Sequence, residues 1–296
     1  MNAKKSSSKP VDTSRGRAGR PQSLFAPTSG TPEPPSIDDG EPETADAGIA
    51  AAVAAAPTAA QSVEHHGGTA AIATVELTRS YGDTIALEPL SVNIPAGQRV
   101  ALVGHNGSGK TTLIRMITGT LDATGGSVTI GGHDVGSIEA RAALSYLADQ
   151  PVFYDDLSLI EHIEYIARLH GRADWTDHAT ELMERFAIEH RADDLPITFS
   201  RGLKQKAAIC LAFIRPFDVL IVDEPFVGLD APGRGELLAL FDEAHEAGQT
   251  LLVATHELHT VAASDRLLAL ADGVLIHDGP ADVDVDALVD GVEPSS

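Results

Sequence analysis

Gly104-His105-Asn106-Gly107-Ser108-Gly109-Lys110-Thr111 fits the pattern Gly-x-x-x-x-Gly-Lys-[Ser/Thr]. Each fixed position answers a physical need. The glycines let backbone N–H groups approach phosphate oxygens with no side chain in the way. Lys110 supplies a point charge for β- and γ-phosphates, and the Thr111 hydroxyl can sit on a Mg2+ ion. Upstream, Arg99-Val100-Ala101-Leu102-Val103 is a short apolar run that predicts a buried strand. Downstream, Thr112-Leu113-Ile114-Arg115-Met116-Ile117 has helical composition and spacing. A helix starting there turns the positive end of its dipole toward the same phosphates. Strand, loop and helix in that order are the context the motif requires.

Further along, Val219-Leu220-Ile221-Val222-Asp223-Glu224 is an apolar strand ending in two carboxylates. A buried strand ends in acids only if something neutralises them, and a bound Mg2+ does so. Asp223 is placed to hold the ion through water, and Glu224 to orient or deprotonate an attacking water. Alone, such a strand end reads equally well as a helix cap or an exposed turn; the phosphate loop in the same chain tips the balance. Leu251-Leu252-Val253-Ala254-Thr255-His256 is another strand, ending in a histidine that can donate to a γ-phosphate. A lone histidine at a strand end is ordinarily structural, so His256 carries weight only in this combination.

The whole chain has 296 residues, 43% of them hydrophobic, which suits one large or two small globular domains. Its apolar stretches fall far short of the roughly 18 residues a membrane span needs. Lys4, Lys5 and Lys9 are not followed by an apolar segment, so no signal peptide is expected. Cys210 is the single cysteine, which excludes an internal disulfide framework and fits a reducing cytoplasm. The formal net charge of −22 argues against nucleic acid as a partner.

Residues 1–70 are rich in Ser, Pro, Ala, Gly and Thr and lack apolar periodicity, which predicts a disordered tail, basic at its start. An ordered domain is expected over 71–282, followed by an acidic tail over 283–296. Asp282-x-Asp284-x-Asp286 hints at a calcium loop, but Ala287 stands where such a loop needs glycine. Val75 to Val100 alternates apolar residues around Gly82-Asp83 and Pro95-Ala96-Gly97, predicting antiparallel strands. Gly125 to Gly132 reads as a short strand between glycine turns. Leu159, Ile160, Ile163, Ile166, Ala167 and Leu169 recur at helical spacing within a helical stretch, where Trp175 and Cys210 are expected to pack. From Val219, strand-like runs alternate with a helix over Glu236 to Glu246, an α/β pattern with a mostly parallel sheet.

These motifs, in this order, resemble the ATP-binding cassette (ABC) ATPases over about residues 72–280. The resemblance implies a P-loop NTPase core, an antiparallel β subdomain and a helical subdomain over about 152–215. Gly104, His105, Asn106, Gly107, Ser108, Gly109, Lys110, Thr111 and Thr112 then bind ATP, with Tyr81 stacking on adenine. Thr111 and Asp223 hold Mg2+, and Glu224, Lys110 and His256 serve hydrolysis. The family's signature Leu-Ser-Gly-Gly-Gln is Phe199-Ser200-Arg201-Gly202-Leu203-Lys204-Gln205 here, with Arg201 replacing a glycine. In the family this segment contacts the ATP of a second cassette. Ser200, Gly202, Gln205 and the D-loop residue Asp230 are accordingly expected at a nucleotide shared by two cassettes. The family's Q-loop glutamine aligns with Asp149, and Gln150 follows one step later; Gln150 is the favoured metal-facing residue.

Tyr154-Asp155-Asp156-Leu157-Ser158 and the helix after it look like cassettes of drug and ABC-2-type exporters. The implied protein is a Mg-dependent ATPase on the inner face of the cell membrane. It would drive a separate transmembrane permease docked on residues 152–200. A soluble ABC ATPase that remodels a protein complex is the competing reading. Tandem translation-type cassettes and chromosome-maintenance ATPases fit poorly, since Gly104 to Thr111 is the one phosphate loop of the sequence and no long coiled coil lies between Lys110 and Ser200. Glu224 and His256 speak against a regulator that does not hydrolyse ATP.

Overall fold

The structure is a computed structural model, and it describes residues 70–283. Apart from Ala70 and Val283, the expected tails, and with them Asp284, Asp286 and Ala287, lie outside the described residues. β1 (Ala70–Tyr81) and β2 (Thr84–Pro95) pair antiparallel around Gly82-Asp83. β4 (Gly125–Ile130) pairs with the other edge of β1, and the two-residue β5 (His133–Asp134) completes a sheet of order β2-β1-β4-β5. Glu76 in β1 takes a positive φ of 48°, and the chain opposite must be glycine. A Cβ on Gly126 would lie 2.3 Å from the Glu76 carbonyl oxygen.

The second sheet collects β3 (Arg99–Val103), β6 (Leu144–Leu147), β7 (Val219–Asp223), β8 (Thr250–Ala254), β9 (Arg266–Ala271) and β10 (Val274–Gly279). Its order is β10-β9-β3-β8-β7-β6, antiparallel only at the β10–β9 edge. β3, β7 and β8 are buried at every residue, as unbroken apolar runs in a parallel sheet must be. Their carboxyl ends therefore lie along one edge, the place where open α/β sheets bind ligands.

Helix α1 (Lys110–Ile117) buries Leu113, Ile114, Met116 and Ile117. They share one core with Val100 and Leu102 of the parallel sheet and with Val128 and Ile130 of the antiparallel one. α2 (Ile138–Ala143) leads into β6. α3 (Leu159–Leu169), α4 (Trp175–Arg185) and α5 (Arg201–Phe213) pack on a core that includes Leu159, Ile163, Leu182, Phe186 and Ile209. Ser158 and Glu161 close a capping box at the start of α3, fixing its first turn. Trp175 packs half-buried against this core and Cys210 lies within it, where burial pushes the thiol up to about 12 and makes it unreactive.

α6 (Ala231–Glu246) begins five residues before the expected Glu236, because Asp230 caps it and Pro232 is tolerated in its first turn. α7 (Leu258–Ala262) is a single short turn of helix after β8. Among the described residues, no helix is long and apolar enough to cross a membrane.

Candidate nucleotide site

β3 delivers the chain to Gly104, whose φ of 154° and surroundings admit only glycine. A Cβ there would lie 2.2 Å from the Leu270 carbonyl oxygen. The loop then wraps to Gly109, which takes φ 102° at the cap position of α1 and so aims the first N–H groups of that helix into the loop. A cavity of about 740 Å3 opens in front of it. His105 to Thr112 form one wall, and Asp223 and Glu224 another. That volume suits a nucleotide-sized ligand.

Lys110 is buried at the mouth of α1. Its Nζ donates to the carbonyl oxygens of Gly104 at 2.5 Å and His105 at 3.3 Å. Burial pulls its ammonium below the ordinary lysine value, opposed by the nearby Glu224 and Asp223 carboxylates. Thr111 Oγ1 donates to Asp223 Oδ2 at 3.3 Å. Asp223 is 4% exposed. Burial raises its carboxyl above the usual range, and the Asp149 charge adds to this, while Thr111, Lys110 and Arg115 oppose it.

Glu224 is pushed up to about 7, first by burial and then by the Asp223, Asp149 and Glu257 charges, with Lys110 opposing. Its backbone is held at a positive φ of 45°, a conformation an L-residue adopts at a cost of about 1–3 kcal/mol. His256 Nε2 sits 2.9 Å from Glu224 Oε1. The pair is not aligned for a hydrogen bond, so the buried Oε1 has no donor. Burial, then Lys110, lowers the imidazole below its ordinary value, which favours the neutral ring.

Thr111 and the Asp223–Glu224 pair thus present hard oxygen donors with uncompensated acidity, a set that suits Mg2+. Gln150 and Asp149 both line the cavity after β6. Asp149 also meets Arg201, whose Nη2 lies 3.4 Å from Asp149 Oδ1.

The remaining expected residues are placed elsewhere. Tyr81 is half exposed, with the Arg79 guanidinium 4.5 Å over its ring, and is not among the cavity-lining residues; Thr84 and Ile85 are. Ser200, Gly202, Gln205 and Asp230 are not part of this cavity. Ser200 caps α5, its Oγ accepting from the Leu203 N–H. Gly202 sits so close to Gly228-Leu229-Asp230, the D-loop segment, that a Cβ would fall 2.5 Å from the Gly228 carbonyl oxygen. Gln205 is buried and donates through Nε2 to the Pro225 carbonyl oxygen at 3.1 Å, so its side chain braces the loop after Glu224. Asp230 caps α6 through the Gly233 N–H and accepts from Lys206 Nζ at 3.0 Å.

Ile85, Arg115, Tyr146 and the pair Asp272-Gly273 line the cavity without having been singled out from the sequence. Asp272-Gly273, both at positive φ, form the β9–β10 hairpin turn, whose Gly273 N–H donates to the Ser108 carbonyl oxygen at 3.0 Å. The signal was the Asp-Gly dipeptide, which marks such turns.

A glycine loop opening a helix and a carboxylate strand at the same sheet edge, with a helical insertion between them in the chain, define a P-loop ATPase cassette. The chain belongs to the ABC transporter ATP-binding proteins. The family model for the ABC transporter matches residues 87–227. EcsA, an ABC-type transporter ATP-binding protein of Bacillus subtilis (strain 168), is 35% identical over 189 residues, covering 62% of this chain and 76% of that protein. SkfE, the SkfA peptide export ATP-binding protein of the same organism, is 33% identical over 205 residues, covering 68% and 86%. The solved structure of an ATP-binding subunit of an ABC transporter superposes with a TM-score of 0.69 at 30% identity, covering 73% of this chain and 97% of that one. The cassette MJ0796, in a dimeric post-hydrolysis state with ADP and Pi, shares the fold at 22% identity, with a TM-score of 0.65 and coverage of 72% and 100%. This chain is therefore the ATP-binding and ATP-hydrolysing subunit of an ABC transporter.

Proposed function

We propose that two copies of this chain bind Mg-ATP between them and hydrolyse it to drive export through a separate membrane permease. The observation that carries the split site is the separation of Ser200 and Gly202 from the cavity lined by His105 to Thr112. The capped start of α5 offers free N–H groups to a phosphate. A second cassette, arranged head to tail, supplies that helix start to this cavity. Export is supported by the resemblance to SkfE, a peptide export protein. The chain is then held at the inner face of the membrane by its permease.

In this reading the backbone N–H groups from His105 to Thr112 and Lys110 hold the phosphates, and Thr84 and Ile85, which line the cavity, flank the adenine. Thr111, Asp223 and Gln150 would hold Mg2+, which when bound would supply positive charge to the site. Glu224 accepts a proton from water as the water oxygen bonds to the γ-phosphorus. The bond from that phosphorus to the bridging oxygen breaks, leaving ADP and inorganic phosphate. Neutral His256 donates a hydrogen bond to the transferring group. Removing Mg2+ with EDTA is expected to abolish phosphate release by the purified chain; undiminished release would refute the metal assignment.

Asp149 raises the Glu224 carboxyl, so removing its charge must lower that group's pKa. The acid limb of the pH–rate profile for Asp149→Asn is expected below that of the parent chain. A limb that stays in place or moves up would show that Asp149 does not act on Glu224.

A further inference from the structure

Two positions at which this chain departs from its family's motifs meet in space. Arg201 stands where the signature has a glycine, and Asp149 aligns with the Q-loop glutamine. They are 52 residues apart in the chain, yet Arg201 Nη2 lies 3.4 Å from Asp149 Oδ1. Among the described residues, Arg201 is the only Arg or Lys in ion-pair contact with that carboxylate.

Each charge is poorly placed within its own segment. Arg201 is the first residue of α5, where the positive end of the helix dipole repels a cation. Lys204 and Lys206 follow on the same helix, and its first turn holds no acid. The stem of Arg201 leans on the D-loop segment: a Cβ on Gly228 would lie 3.4 Å from its Cγ. That contact steers the side chain, and the guanidinium ends at Asp149.

Asp149 has the opposite problem. It lines a cavity that takes phosphates, together with Asp223, Glu224 and Asp272. These four carboxylates face two permanent cations in the lining, Lys110 and Arg115. The charge of Asp149 reaches inward, since it raises the carboxyls of both Asp223 and Glu224. A glutamine in its place would carry no charge toward the phosphates.

We propose that Arg201 is a positioning residue for nucleotide binding: it draws the Asp149 carboxylate toward the start of α5 and offsets its charge, so that ATP meets less repulsion in the cavity. Arg201 does not line the cavity of its own chain, so it acts through Asp149. The two departures from the family pattern compensate each other. One chain and one nucleotide suffice for this effect, whether or not a second copy completes the site.

The test is a titration of the full chain with ATP in EDTA, at protein concentrations where light scattering reads a monomer. EDTA removes any metal held by the neighbouring side chains. The titration is run at ionic strengths of about 0.01 M and about 1 M, between which the screening length falls from about 30 to about 3 Å. At low salt, Arg201→Gln is expected to weaken ATP binding by about three- to fivefold, the size of an exposed charge–charge effect. At high salt the loss should vanish, and Arg201→Lys should bind as the parent does at both. Asp149→Asn should bind ATP at least as tightly as the parent, and adding Arg201→Gln to it should change nothing further. An equal loss from Arg201→Gln in the Asp149→Asn background would show that Arg201 acts without Asp149. Weaker binding by Asp149→Asn alone would make the pair a structural brace. Either result overturns the proposal, as does parent-like binding by Arg201→Gln at low salt. A parent chain that binds no ATP would instead refute the cavity as the nucleotide site, and the proposal with it.

Discussion

Glu224→Gln is expected to lower Mg-ATP turnover by about 10²–10⁴-fold, the range general-base catalysis supplies. Glutamine keeps the size of the side chain and cannot accept the proton of the attacking water. The carboxyl of Glu224 is pushed up to about 7, so turnover of the parent chain should rise as pH increases through 7, when the base loses its proton. The residual turnover of the variant should not follow that limb. Phosphate release measured between about pH 5.5 and 9 tests both points. Turnover within tenfold of the parent, or an unchanged acid limb in the variant, would remove Glu224 from the chemistry.

The same group carries a stability signature. Its folded value of about 7 lies above the ordinary 4.5, so the folded state holds the proton more tightly than the unfolded one. The contribution of Glu224 to stability is therefore fully present below 4.5 and is lost as pH rises through 7. Glutamine has no charge to bury. The melting temperature of Glu224→Gln should exceed that of the parent increasingly as pH rises across this window. Parallel melting curves at all pH values would contradict it.

Lys110→Ala is the second large effect, with turnover expected to fall by about 10²–10³-fold, as when one charge-stabilising donor is removed from a transition state. Lys110 braces the loop through the carbonyl oxygens of Gly104 and His105. These two contacts leave the third N–H of the ammonium for a phosphate oxygen. Its charge also opposes the rise in the carboxyls of Asp223 and Glu224. Any residual activity of the variant should then have its acid limb displaced upward. Phosphate release and calorimetric titration with Mg-ATP read the two consequences separately. Parent-like turnover would refute the site assignment.

The phosphate loop, the carboxylate strand and the helices around 159–213 were legible because each is local: a spacing, an apolar run or a periodicity within about a dozen residues. The β1–β2 hairpin was legible from Gly82-Asp83. Residues that reach the cavity through sheet pairing were not. Gly273 stands beside Ser108 only because β9 pairs parallel with β3, a connection between distant segments that no local pattern encodes. α2 and β6 are too short to leave a period.

Gln205 is a different case. The family motif placed it at the shared nucleotide, yet it lies four residues before Ile209 on the buried stripe of α5, and its side chain turns inward to Pro225. Helical spacing alone marks that face. The D-loop aspartate likewise spends its oxygens within its own chain, on the start of α6 and on Lys206. What a second cassette would meet is the helix start at Ser200 and Gly202.

In the proposed function the cavity in front of Gly104 to Thr111 is half of a site, completed by Ser200 and Gly202 of a second copy. Light scattering on purified Glu224→Gln decides this, because this variant should hold ATP without turning it over. The expected result is a monomer without nucleotide, a dimer with ATP, and loss of that dimer when Ser200→Arg is added to the same chain. A monomer mass with saturating ATP would contradict it.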